Sequence, residues 1–110
     1  MSGPSRGAVD RYVAAVRAKD LDAIEDLFAE DAVLLPPQSE ALEGKEAILG
    51  YYRDLVFALG PVPTAVRHVE DGATCVVELE AEFEGAVLAF ADVFTVDGDG
   101  RVHRLAIYHR

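Results

Sequence analysis

The sequence holds one cysteine, and only ten Lys and Arg against twenty Asp and Glu. A lone thiol, Cys75, excludes an internal disulfide and fits a reducing cytoplasm. The net charge of −10 argues against nucleic-acid binding, because phosphate contacts need clustered Lys and Arg. The same charge repels anionic substrates. No apolar run approaches the roughly 20 residues of a membrane-spanning helix. No apolar segment follows Arg6, so the N-terminus does not read as a signal peptide. A Walker loop, GxGxxG, HExxH and a CxxC pair are all missing. The three histidines, His68, His103 and His109, lie scattered with no carboxylate at ligand spacing. The expectations are therefore no metal, no cofactor, no nucleic acid and no membrane. A neutral, apolar small molecule is the natural ligand.

What is present is apolar patterning. Half of the residues are apolar, which suits one globular domain of 110 residues. Residues 1–6 read as a flexible leader and residues 7–110 as the single domain. Val9, Tyr12, Val13 and Val16 recur at the spacing of one helix face, and Leu21, Ile24, Leu27 and Phe28 do the same after a cap at Asp20. A short strand from Ala32 ends at Pro36-Pro37, where the ladder cannot continue. A loop or short edge hairpin fills residues 38–44. Lys45 to Leu59 reads as a third helix with Ile48, Tyr52, Leu55 and Leu59 in register, stopped by Gly60-Pro61.

The second half is all strand. Cys75, Val77, Leu79, Ala81 and Phe83 alternate with Val76, Glu78, Glu80, Glu82 and Glu84, giving an apolar face and an acidic one. Turns at Asp71-Gly72, Glu84-Gly85 and Asp97 to Gly100 separate four strands. Helices first and a meander afterwards imply an α+β domain, with three N-terminal helices on one face of a curved, mostly antiparallel sheet. The acidic row suits a solvated face, or a homodimer in which arginines such as Arg67, Arg101 or Arg104 neutralise it.

One residue breaks the patterning. In FADVF, Asp92 lies on the same strand face as Leu88, Phe90, Phe94 and Val96. An acid among such neighbours loses its hydration, which disfavours the charged form and raises its pKa.

In its order of helices, turn and strands the chain resembles the nuclear transport factor 2-like superfamily. It looks most like the bacterial ketosteroid isomerases (steroid delta-isomerases) and the SnoaL-like proteins. RYVAAVRAKDLDAIEDLFAEDAV, Arg11 to Val33, and FADVFTVDGDGRV, Phe90 to Val102, carry the likeness. GKEAILGYYRDLV and ATCVVELEAEFEG fit the third helix and a sheet strand. The resemblance implies a cone-shaped fold enclosing an apolar pocket. It also implies an enzyme that moves a proton beside a ketone on a neutral, polycyclic substrate. In that family a tyrosine and a protonated aspartic acid donate hydrogen bonds to the enolate oxygen. Tyr12 and Asp92 fall on those two positions. The base position reads Leu35 or Pro36, neither of which takes a proton, and Glu40 is the nearest carboxylate downstream. Val16, Leu35, Pro36, Tyr52, Leu55, Val77, Leu79, Phe83, Phe90, Phe94 and His109 would form the ligand-binding walls. Two alternatives stay open. One is a SnoaL-like polyketide cyclase in which Asp92 itself is acid and base; the other is a small-molecule-binding module without chemistry. An epoxide-hydrolase set would need Arg67 and a second pocket aspartate.

Overall fold

The computed structural model describes residues 3–110. Helix α1 spans Pro4–Ala18, with proline at its start, where its missing N–H is no loss. Lys19 ends it in a left-handed conformation. Helix α2, Leu21–Leu27, is capped by Asp20, whose side chain accepts the Ala23 N–H at 3.1 Å. Strand β1 follows without a break as Phe28–Leu35. Phe28 thus belongs to the strand rather than to the preceding helix, and β1 begins four residues before Ala32. Strand β2, Leu42–Glu43, pairs with β1 antiparallel.

Helix α3, residues 45–59, has an α-helical start at Lys45–Tyr51, a π-helical turn at Tyr52–Val56 and a last turn at Phe57–Leu59. Gly60 closes it at φ +71°, a conformation that favours glycine. Strands β3 (Val62–Asp71), β4 (Thr74–Phe83), β5 (Ala86–Val96) and β6 (Val102–His109) complete the chain. Glu84 and Gly85, at φ 51° and 78°, make the tight left-handed turn between β4 and β5.

The six strands form one sheet in the order β2-β1-β6-β5-β4-β3. All pairs are antiparallel except β1 with β6, which makes the sheet mixed. The three helices cover one face of this curved sheet. Cys75, Val77 and Leu79 of β4 and Phe94 and Val96 of β5 pack against Val9, Tyr12 and Val16 of α1 in the core. Val76, Glu78, Glu80 and Glu82 point the other way and are exposed. Among the described residues no helix is long and apolar enough to cross a membrane.

The leader expected over residues 1–6 overlaps helix α1, which begins at Pro4. Met1 and Ser2 lie outside the described residues, but Gly3 to Arg6 are fixed by Glu70 of β3. The Glu70 carboxylate accepts the Gly3 N–H at 2.9 Å, the Arg6 N–H at 2.6 Å and the Ser5 hydroxyl at 2.7 Å. A carboxylate from a distant strand thus supplies the cap that no α1 side chain provides, where the helix dipole favours negative charge. Those hydrogen bonds hold the Glu70 pKa below its ordinary 4.5. The stability they supply is complete above that pH and is lost as pH falls through the lowered value. Glu70→Gln is expected to lower the Tm at pH 7, and the gap from the parent should close in acid. A thermal scan at pH 7 and at pH 3 checks it.

Candidate functional site

Asp92 reaches the helix-covered side of the sheet because β5 alternates strictly there: Asp92, Phe94 and Val96 are buried, with Val93 and Thr95 turned outward. Its cross-strand partners are Val77 on β4 and Ile107 on β6. Neither offers a donor, and Asp92 is only 2% exposed. Its Oδ1 is buried with no hydrogen-bond partner among the described residues. Arg67, a candidate partner, faces outward and donates to Glu78 at 2.7 Å instead. Burial alone pushes the Asp92 carboxyl up from 3.8 to about 7. A carboxyl of that pKa exists in both protonation states at neutral pH.

Tyr12 comes from α1, where the three-and-four spacing turns it onto β5. Its ring meets Phe94 edge-on at 5.1 Å, and its hydroxyl lies 2.8 Å from that of Tyr52. Burial, with the nearby Asp92 charge second, raises the Tyr12 pKa far above its ordinary value. Burial does the same to Tyr52. Both phenols therefore stay protonated. When Tyr52 donates to Tyr12, the Tyr12 proton is free to point elsewhere, and the donated bond makes it a stronger donor.

Tyr12 and Asp92 line one cavity of about 260 Å³. Val16, Leu55, Leu79, Phe83 and Phe90 line it as the sequence suggests. Asp92 and Tyr12 are buried, whereas Leu55 and Leu59 are half exposed, so the polar groups lie deep and the leucines frame the mouth. Pro61 and Pro63, after α3, and Ile107, the register partner of Asp92, are among the other wall residues. Among the described residues, the only polar side chains in this lining are Tyr12, Tyr51 and Asp92. Such a chamber suits a neutral apolar ligand with few oxygens.

Several expected wall residues lie elsewhere. Tyr52, Val77 and Phe94 are fully buried behind the cavity, because the core closes over them before the lumen begins. Tyr52 is joined to the cavity lining by its hydrogen bond to Tyr12. Leu35, Pro36 and His109 line a second cleft, formed where β1 ends and the Pro36-Pro37 turn packs beside the end of β6. Glu40 is exposed on the loop before β2 and is absent from the cavity lining. The structure therefore does not bring it together with Tyr12 and Asp92. Tyr51 is the residue that sequence spacing missed. Consecutive helix residues point about 100° apart, so periodicity assigns the inward position to Tyr52 alone. Among the described residues, no cluster of His, Cys, Asp or Glu is placed to hold a metal ion.

Residues 9–105 match the model of the SnoaL-like domain. A candidate polyketide cyclase from Sinorhizobium meliloti is 29% identical, with a TM-score of 0.80 covering 92% of this chain and 93% of that one. A steroid delta-isomerase from Pseudomonas aeruginosa shares the fold at a TM-score of 0.81 and 18% identity, over 100% of this chain and 82% of that one. The orange carotenoid-binding protein of Limnospira maxima is 33% identical over 76 residues, which is 67% of this chain and 24% of that protein. The chain thus spans about a quarter of the length of the curated relatives it matches.

Proposed function

This chain belongs to the SnoaL-like domain family, and on that premise we propose that it is an enzyme that moves a proton at the carbon beside a ketone of a neutral, apolar substrate. Asp92 is the acid and base, and Tyr12 donates a hydrogen bond to the enolate oxygen. The observation that carries this reading is that Asp92 is the only carboxylate in the cavity lining, and it is poised near pH 7. A general acid–base group works best with a pKa near the operating pH. With Glu40 on the outer loop and Leu35 and Pro36 at the isomerase base position, Asp92 is the group left to carry protons. This favours cyclase-like chemistry over an isomerase that uses Asp92 only as a donor.

The sequence of events follows from the site. The apolar walls take up the hydrocarbon body and exclude water, which strengthens every polar contact inside. Ionised Asp92 accepts the α-proton as the C–H electron pair forms the enolate C=C bond and the carbonyl π pair moves onto oxygen. Tyr12, supported by Tyr52, stabilises that oxygen. Asp92, now protonated, returns the proton to a carbon of the enolate, or to the oxygen formed when the enolate carbon attacks a second carbonyl. The likeness to the candidate cyclase, 29% identical over 92% of the chain, supports a polyketide-like ketone over a steroid.

A second reading is a binding module without turnover, favoured by relatives that are carotenoid-binding and by the scarcity of polar groups in the cavity. The test is exchange of α-hydrogens of 2-tetralone in D₂O, followed by proton NMR. The proposal expects catalysed exchange by the parent and by Glu40→Gln, and its loss in Asp92→Asn. Binding of the ketone with no catalysed exchange supports the binding module.

A further inference from the structure

Tyr51 lines the cavity and is half-buried there. It is the last residue of the α-helical part of α3, and the π-helical turn begins at Tyr52. Turns of this kind occur often at functional sites. The two neighbouring tyrosines do different work. Tyr52 is directed into the core, against Phe28 and onto the Tyr12 hydroxyl. Tyr51 stands edge-on to Tyr52, with centroids 5.4 Å apart and planes at 87°, so its ring is held in place. The Tyr12 and Tyr52 hydroxyls bond each other, whereas that of Tyr51 has no hydrogen-bond partner among the described residues. Tyr51 shares this cavity with Asp92, and its pKa is raised by burial first and by the Asp92 charge second.

A lumen whose only hydroxyl donors are Tyr12 and Tyr51, among otherwise apolar walls and one acid, fits a ligand with one oxygen for each hydroxyl. Tyr12 meets the enolate oxygen, and Asp92 handles the proton. We propose that Tyr51 is a specificity-determining residue that donates a hydrogen bond to a second oxygen of the substrate, so that the cavity selects dioxygenated ligands over mono-oxygenated ones. This rests on the reading of Tyr12 as the donor to the first oxygen. The selection is strong for a physical reason. A site built to hydrogen-bond an oxygen discriminates against an analogue lacking it more sharply than an apolar wall discriminates by size.

The test is calorimetric titration with two enol mimics of one shape, 2-naphthol and naphthalene-1,3-diol. The parent is expected to bind the diol about tenfold more tightly. Tyr51→Phe keeps the ring against Tyr52 and removes only the hydroxyl. It should bring the two affinities within about twofold of each other while leaving that for 2-naphthol unchanged. A Tyr51→Phe protein that keeps the full preference for the diol, or that loses both ligands equally, overturns the inference. Tyr12→Phe is titrated alongside and should weaken both ligands. If it weakens neither, the reading of Tyr12 fails, and this inference with it.

Discussion

Exchange of the α-proton of 2-tetralone is expected to fall roughly 10³-fold in Asp92→Asn, the scale of a lost general base. Asparagine keeps the shape and removes the proton acceptor, and no other carboxylate in the cavity lining can take over. The pH profile separates the two roles open to Asp92. As a base it acts when ionised, so the exchange rate should rise with pH around a midpoint near 7, the value to which burial pushes it. As a donor it acts when protonated, and the rate would fall over the same range. Tyr12→Phe should cost on the order of 10²-fold, the scale of one lost oxyanion donor, without moving that midpoint far. An Asp92→Asn protein that exchanges as fast as the parent would remove Asp92 from the chemistry altogether.

The same substitution is expected to make the protein more stable at pH 8. Unfolded Asp92 ionises near 3.8 and the folded residue near 7. Between those values the folded state holds the extra proton, so its stability declines as pH rises through the window. A shift of that size corresponds to about 4 kcal/mol once Asp92 is ionised in the folded protein, an upper bound. Asparagine does not ionise and escapes the decline, although its buried amide keeps a desolvation penalty of about 1–3 kcal/mol. The net expectation is a Tm higher by roughly 10 °C or less at pH 8, with the advantage shrinking toward pH 4. Thermal scans of both proteins at pH 4, 6 and 8 check this. A Tm difference that does not change with pH would mean that Asp92 titrates alike in the folded and unfolded chains. A residue that destabilises its own fold is what an active site is expected to contain.

Much of this was legible in the sequence, for identifiable reasons. The β4 alternation announces its faces because a strand has period two, and the same rule puts Asp92 inside. Tyr12 is legible because helix spacing fixes its face. Other features depend on contacts that no local pattern encodes. Glu70 reaches the start of α1 across more than 60 residues of sequence, and no local pattern at residues 3–6 announces that contact. Tyr51 stands about 100° from Tyr52 around α3, so the apolar stripe through Tyr52 leaves it out although it lines the cavity. Core residues such as Val77 and Phe94 share a strand face with true cavity residues, and only depth separates them. Proximity in sequence alone makes Glu40 a base candidate, and the loop carries it outward.

The central claim is that Asp92 is a buried, unpartnered carboxyl poised near neutrality, and its own titration tests that most directly. Protein labelled with ¹³C at the aspartate side-chain carboxyl, assigned through Asp92→Asn, gives the Asp92 resonance as a function of pH. The account predicts a single titration with a midpoint near 7. A midpoint in the ordinary aspartate range, around 4, would mean that the carboxyl is solvated or paired, and would contradict the account.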